Sequence, residues 1–258
     1  ISKKWGGVEP DLEVLLRSWA DFEKYIPHEE QGFKPTDVQN EKSGFAEDID
    51  QWIHLFVKGA VITLELGVLT AILALLLGTL IGVGSTSANP IVQKLSQGYI
   101  VVVRGTPLLV QLFIAYFGIA TVFNEYLAGG TEIMGAFGAA LLALVVNTGA
   151  YNAETVRGGI RSVGKGQWEA AASLGMSRIK TLRRAVLPQA FRNSVASLGN
   201  NIVVLIKDTS LVGVITLIEL TFTARNIMYQ TGQPFLPFIV AAVFYLVIIT
   251  VLDQVVKL

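Results

Sequence analysis

Five long apolar segments constrain this chain more than any other feature of its sequence. A helix needs about 20 predominantly apolar residues to cross the hydrocarbon core of a bilayer, and 52% of the residues here are hydrophobic while only 16% are charged. In the hydrocarbon core there is no water to hydrogen-bond the backbone, and a single segment satisfies its own N–H and C=O groups by forming an α-helix. We therefore predict an all-α integral membrane protein with five transmembrane helices, at residues 57–83, 98–123, 134–155, 196–217 and 235–252.

The polar segments between these spans differ in charge and so predict which side of the membrane they face. Residues 157–192 hold eight of the 20 Lys and Arg residues against a single acid, Glu169. Loops rich in Lys and Arg stay in the cytoplasm, so this loop is expected inside. Five spans then place the N-terminus outside and the C-terminus in the cytoplasm.

Two domains are expected on composition. Residues 1–56 are polar and acidic with amphipathic patches at 12–22 and 45–56, and they are predicted to be an extracytoplasmic N-terminal segment. They could form interfacial helices on the membrane or a docking surface for an external partner. Residues 57–254 are predicted to be the transmembrane domain, with 157–192 as its cytoplasmic loop.

Composition and motifs argue against catalysis by this chain. It contains no cysteine and only two histidines, His28 and His54, so neither a metal site nor a disulfide is expected. The run Gly159-x4-Gly164-Lys165 resembles a phosphate-binding loop, but Gly166 replaces the Ser or Thr that would hold Mg²⁺, and no β-strand precedes it. We therefore expect no bound cofactor, no ATP hydrolysis and no enzymatic activity in this chain alone.

The basic loop has the signals of two short helices rather than of a plain linker. The first is predicted from Gln167 to Leu174, with Gly175 closing it. Ser177 can cap a second helix that is expected to end before Pro188. Small residues on the first helix would let another protein approach closely.

This loop resembles the EAA loop of ABC-importer permease subunits. The resemblance is carried by Glu169-Ala170-Ala171, then Gly175, then Leu187-Pro188 at the family's spacing; Ala185 departs from the larger aliphatic residue that is usual there. In that family the loop docks into a groove on the ATP-binding subunit. The resemblance therefore implies a type I ABC-importer-like fold and a docking role for Glu169, Ala170, Ala171, Gly175, Leu187 and Pro188.

Three further stretches resemble the polar amino-acid uptake permeases of this class. They are RGTPLLVQ at 104–111, NTGAYNAE at 147–154 and KDTSL at 207–211. Gly105-Thr106-Pro107 should break or kink a helix, because proline cannot donate its backbone hydrogen bond and restricts the preceding residue. Freed backbone groups at membrane depth are tolerated where they line a cavity. Charged pairs inside a span likewise indicate a wet pathway or a partner.

These stretches supply the candidate pathway residues, namely Thr106, Pro107, Gln111, Glu154 and Asp208, followed by Arg104 and Lys207. Three alternatives stay open. Arg104 either extends to the interface, forms a structural pair or binds a substrate carboxylate. Glu154 either binds an ammonium group or pairs with Arg157 or Arg161. The two adjacent charges at 207–208 either face the pathway or form a structural cluster.

The resemblance implies that this chain is the membrane subunit of an ATP-driven importer for polar amino acids in a bacterial inner membrane, with 57–254 as its permease domain. Its expected partners are two ATP-binding subunits that hold ATP and Mg²⁺, a second permease subunit, identical or paralogous, and an extracytoplasmic amino-acid-binding protein; no nucleic acid is expected. An ion-gradient-driven secondary transporter, or an ABC permease for another small solute, are the alternatives. A membrane scaffold would explain the loop but not the charges in the fourth span.

Overall fold

The structure is a computed structural model that describes residues 45–131 and 133–257, with the side chains of 52–131 and 133–254. The elements of these residues are helices, without a β-strand among them. Five helical stretches are long and apolar enough to cross a membrane, and they are Trp52–Gly84, Leu108–Leu127, Ala136–Ser162, Arg178–Ile215 and Leu236–Gln254. The predicted all-α membrane fold and its number of spans are confirmed.

Helix α1 (Phe45–Gly84) is 40 residues long and continues through the expected domain boundary at residue 56. The amphipathic patch at 45–56 forms its first part, where Trp52 and Phe56 are fully buried. They pack in a cluster with Leu220 and Ile227, so the last residues of this patch, from Trp52 onwards, contribute to the core of the membrane domain. The other predicted patch, at 12–22, lies outside the described residues.

The second predicted span, 98–123, is wrong in its position. Helix α2 (Pro90–Arg104) ends before the break at Gly105-Thr106-Pro107, and a separate run, α3 (Leu108–Leu127), forms the membrane-length helix. The break therefore lies between two helices and not inside one span. Pro107 has an extended backbone (φ −64°, ψ 137°), which ends one helix and starts the next. Parts of α3 are π-helical, at Ile114–Ala120 and Phe123–Leu127.

Helix α4 (Ala136–Ser162) is the centre of the bundle, and small side chains let its neighbours approach it closely. Two glycines of α1 lie directly against it: a Cβ on Gly82 would stand 2.8 Å from the carbonyl oxygen of Ala153, and one on Gly78 would collide with Asn152. The Gly-x3-Gly spacing of these two residues is typical of a close approach between membrane helices.

After α4 come α5 (Lys165–Ser173), α6 (Arg178–Thr181), a π-helical turn at Leu182–Val186 and α7 (Leu187–Asp208). The second short helix of the loop does not end before Pro188, as expected from the sequence, but runs straight into the fourth span. Pro188 is tolerated because it stands in the first turn of α7, where a missing N–H disrupts least. The expected span at 196–217 thus corresponds to the C-terminal half of one continuous helical stretch from Arg178 to Ile215.

Beyond α7 the chain forms a 3₁₀ turn at Thr209–Ile215, then α8 (Leu220–Thr231) and α9 (Leu236–Lys257). Glu219 is fully buried at the start of α8. Its carboxylate accepts hydrogen bonds from the N–H groups of Thr221 (2.8 Å) and Phe222 (2.7 Å) and from the Tyr245 hydroxyl (2.7 Å). Burial raises the pKa of the Glu219 carboxyl. This residue joins α8 to α9.

Candidate substrate cavity and coupling loop

A cavity of about 630 Å³ opens where the break between α2 and α3 faces α4 and α7. Its volume lies within the range of small-molecule sites, about 300–1,000 Å³. The break, α4 and α7 each contribute part of the wall, and the lining residues are Arg104, Gly105, Thr106, Pro107, Leu108, Asn147, Thr148, Tyr151, Asn200, Asn201, Val204, Leu205 and Asp208.

Gln111 stabilises the break between α2 and α3 through hydrogen bonds, although it does not line the cavity. Its Nε2 donates to the carbonyl oxygen of Val103 (2.8 Å) and to Thr106 Oγ1 (2.8 Å), and its Oε1 accepts from Asn147 Nδ2 (3.0 Å). One amide thus satisfies a carbonyl at the end of α2 and ties the break to α4. Gln111 is therefore a support of the wall and not part of its lining.

The charged residues at the end of α2 pair within the chain. Arg104 Nη1 lies 3.7 Å from Glu154 Oε2, and its guanidinium stands 5.2 Å from the centre of the Tyr151 ring. Glu154 also accepts from Arg157, at 3.0 Å for Nε and again through Nη2. Among the alternatives that the sequence leaves open, the structure therefore contains two: Arg104 forms a structural pair with Glu154, and Glu154 pairs with Arg157.

The two adjacent charges at the end of α7 point in different directions. Asp208 is partly buried and lines the cavity, whereas Lys207 is exposed and lies outside the lining. Among the described side chains, Asp208 has no ion-pair partner. A structural Lys–Asp cluster is therefore absent from the described part of the chain, and a carboxylate is left facing a polar cavity.

The structure brings together four of the seven predicted pathway residues, Arg104, Thr106, Pro107 and Asp208. Gln111, Glu154 and Lys207 lie outside the lining. Sequence reasoning did not single out the amide pair Asn200 and Asn201, which lines the α7 wall. A signal was present, because Asn201, Leu205 and Asp208 repeat at helical spacing on one face of an otherwise apolar segment.

The loop between α4 and α7, residues 163–186, is here called the coupling loop. It has an exposed outer face and a buried inner face. Gly175 adopts a left-handed backbone (φ +69°), which lets the N–H of Met176 reach the carbonyl oxygen of Ala171 at 3.0 Å and closes α5. Ala171 is 5% exposed and faces inward. Leu174 and Ile179 flank this turn, and they are 81% and 80% exposed. The sequence motif did not single them out.

The other motif residues divide between the two faces. Glu169, Ala170 and Pro188 are exposed, whereas Leu187 is partly buried and packs against the cluster that anchors the loop to α4. Ala170, Leu174 and Ile179 thus expose apolar side chains in a loop that is otherwise rich in Lys and Arg. Such a surface on a membrane protein is typical of a docking site.

Residues 53–258 match the family model of the binding-protein-dependent transport system inner membrane component. The chain belongs to this family. The match covers both the helices that line the cavity and the loop between α4 and α7. Membership makes the chain an inner-membrane permease component of an ABC importer.

Curated relatives of known role share much of its length. The nopaline transport system permease protein NocM of Agrobacterium fabrum is 38% identical over 198 residues, which are 76% of this chain and 82% of that protein. The glutamine transport system permease protein GlnP of Escherichia coli K12 is 37% identical over 205 residues, 80% of this chain and 91% of that protein.

Solved structures show the same architecture. A chain from the crystal structure of an amino acid ABC transporter with histidines is 34% identical, with a TM-score of 0.71 over 84% of this chain and 97% of that one. A chain of the inward-facing MetNI methionine ABC transporter has a TM-score of 0.66 at 18% identity, over 80% of this permease and 96% of that chain. The second likeness concerns the fold alone.

Proposed function

We propose that this chain is the permease subunit of an ATP-driven importer for polar amino acids. The observation that carries the proposal is the cavity at the helix break, where opposite charges at Arg104 and Asp208 share a wall with amide side chains. A free amino acid is a small zwitterion and needs such a wall at membrane depth. The relatives named for nopaline and glutamine transport support the same substrate class.

Each charged group of the cavity fits one end of the substrate. The Asp208 carboxylate has no ion-pair partner among the described residues and would attract the α-ammonium group. Arg104 would attract the α-carboxylate, since its 3.7 Å contact with Glu154 is longer than a direct hydrogen bond and leaves the guanidinium available. Asn147, Asn200 and Asn201 would serve the polar side chain of the substrate.

Transport then requires partners that supply energy and substrate. Two ATP-binding subunits, which hold ATP and Mg²⁺, would dock on the exposed face of the coupling loop through Glu169, Ala170, Gly175 and Pro188, with Ala171 and Leu187 shaping that face from within. A second permease subunit would complete the pathway, and an extracytoplasmic binding protein would deliver the amino acid. The basic loop would lie in the cytoplasm, which puts the N-terminus outside.

The proposed mechanism follows from the continuity of the helices. Residues from Arg178 to Ile215 form one uninterrupted helical stretch, so a displacement at the coupling loop reaches Asp208 without crossing a flexible joint. ATP-driven movement of the loop would rock α7 and change the access of the cavity. Thr106 and Pro107, on the facing wall, would keep the broken backbone open to the substrate.

The proposal is tested on the complex purified gently from its native membrane and reconstituted in liposomes. We expect an ATP-binding subunit to co-purify and radiolabelled polar amino acids to accumulate only when ATP is supplied. Uptake of a sugar or an oxyanion in place of amino acids would reassign the substrate class. A chain that purifies alone and moves solute down an ion gradient would overturn the proposal.

A further inference from the structure

Side-chain hydrogen bonds join α4 to α7 at successive levels between the coupling loop and the cavity. Nearest the loop, Asn193 Nδ2 donates to Ser162 Oγ at 2.9 Å. The next bond runs from Ser194 Oγ to the carbonyl oxygen of Thr155, at 3.3 Å. Both connect residues more than 30 positions apart in the chain, so they report tertiary contact between the two helices.

The level closest to the cavity is an amide pair. Asn201 Nδ2 donates to Asn152 Oδ1 at 2.9 Å and to Thr155 Oγ1 at 3.3 Å. Asn152 is buried, and Asn201 belongs to the cavity wall. We call these three levels, Ser162–Asn193, Thr155–Ser194 and Asn152–Asn201, the α4–α7 ladder.

The backbones are too close between the levels for the helices to slide past each other freely. A Cβ on Gly159 would stand 2.7 Å from the carbonyl oxygen of Ala190, and it would collide with Ser194. Separating the helices would also take the interhelical hydrogen bonds away from the buried side chains of the ladder, Asn152 and Ser194, which hydrocarbon penalises strongly. Sterics and hydrogen bonding therefore favour one fixed arrangement.

We propose that α4 and α7 move as one rigid unit during transport, and that the α4–α7 ladder makes them so. The two helices enter and leave the coupling loop, and both line the cavity, so a rigid pair passes a displacement of the loop to the cavity without loss. Asn152, Thr155, Ser162, Asn193, Ser194 and Asn201 are then positioning residues. The inference rests on the proposed function, because it takes an ATP-binding subunit to move the loop.

Cross-linking tests the rigidity directly. The chain has no cysteine, so Ser162→Cys with Asn193→Cys provides its one thiol pair, at a level of the ladder away from the cavity. In the assembled complex in liposomes, joining the pair with a short bifunctional thiol reagent should leave ATP-driven amino-acid uptake unchanged. Each single cysteine variant, treated alike, controls for modification. Loss of uptake specific to the joined pair, with the ATP-binding subunit still attached, would show that the helices must separate and would overturn the inference.

A second variant removes both acceptors of the Asn201 amide without changing the cavity lining. Asn152→Leu with Thr155→Val should lower the number of amino acids moved per ATP hydrolysed by about fivefold or more, the size of an ordinary coupling interaction. Thr155→Ser keeps its acceptor and should keep the ratio. Joining Ser162→Cys and Asn193→Cys in the weakened background should restore part of it, which a role in local packing alone would not do.

The wild-type complex distinguishes the two ways of failing. If it shows no ATP-driven amino-acid uptake, the proposed function fails and the ladder's role in transport fails with it. If wild-type uptake is normal but the double variant keeps the full ratio of uptake to hydrolysis, the ladder alone is overturned.

Discussion

Helices α4 and α7 line the cavity and are connected by the coupling loop, yet the cavity and the loop expose different kinds of side chain. The cavity wall carries charged and amide side chains among apolar ones. Asp208 in this wall is partly buried and has no ion-pair partner among the described residues. The outer face of the loop is formed by exposed Leu174 and Ile179 around a glycine turn. We therefore expect a cavity residue to act through its functional group and a loop residue through backbone shape and apolar surface. Variants that change one property at a time can separate these two modes.

The largest effect is expected at the turn of the coupling loop. Gly175→Asp should abolish co-purification of the ATP-binding subunit, because the left-handed backbone at φ +69° costs a residue with a Cβ about 1–2 kcal/mol and a charge would enter the apolar docking face. The measurement is the yield of the ATP-binding subunit per permease.

Two variants control for this result. Gly166→Asp adds the same charge in the same loop, where a Cβ also meets open space but φ is not positive, and it should retain the partner. Gly175→Asn should be milder than Gly175→Asp, because both residues tolerate the left-handed region but Asn adds no charge. Normal docking by Gly175→Asp would remove this turn from the docking surface.

The second effect concerns the cavity carboxylate. Asp208→Asn keeps the shape but removes the charge, and hydrogen bonds to charged groups contribute about 1.5–3 kcal/mol, so ATP-driven uptake should fall by about tenfold or more. Assembly with the ATP-binding subunit should persist. Lys207→Gln, one residue away and outside the lining, should leave the apparent KM for the amino acid unchanged. If Asp208→Asn only dissociates the complex, its role is structural.

A smaller effect on transport is expected at Gln111, which supports the cavity wall without lining it. Gln111→Leu removes the bonds to Val103, Thr106 and Asn147 and loosens the break, so the KM for the amino acid should rise several-fold while docking stays normal. Gln97→Leu removes a single 3.3 Å bond to the Ser85 carbonyl and serves as the matched control. Equal KM values in the two variants would contradict the role of Gln111.

The smallest effect on transport is expected outside both regions. Glu219→Gln weakens the cap of α8 and the bond from Tyr245, which should lower the thermal unfolding temperature of the complex, since losing a helix cap costs about 1 kcal/mol. Neither the KM nor the docking should change. A shift in KM would extend the substrate pathway beyond the cavity described here.

Several features were predictable because their signals are local in the chain. Apolar length marked the five spans, and the positive φ of Gly175 was indicated by a glycine at the end of a short helical pattern. The break at Pro107 follows from proline's own geometry. Two predictions were wrong, the position of the second span and the end of the loop's second helix, and each depends on what surrounds a proline. Pro107 separates two helices, whereas Pro188 is accommodated in a helix after a π-helical turn.

The sequence by itself determined that this chain crosses the membrane on five helices, has a basic loop that resembles the EAA loop, and holds charges within its spans. Only the tertiary structure decided which polar residues share the cavity. Gln111 and Asp208 belong to equally suggestive motifs, yet one supports the wall and the other lines it. Helical periodicity assigns residues to a face of one helix, but the packing of α4 against α7 determines whether that face meets a cavity, a neighbouring helix or lipid.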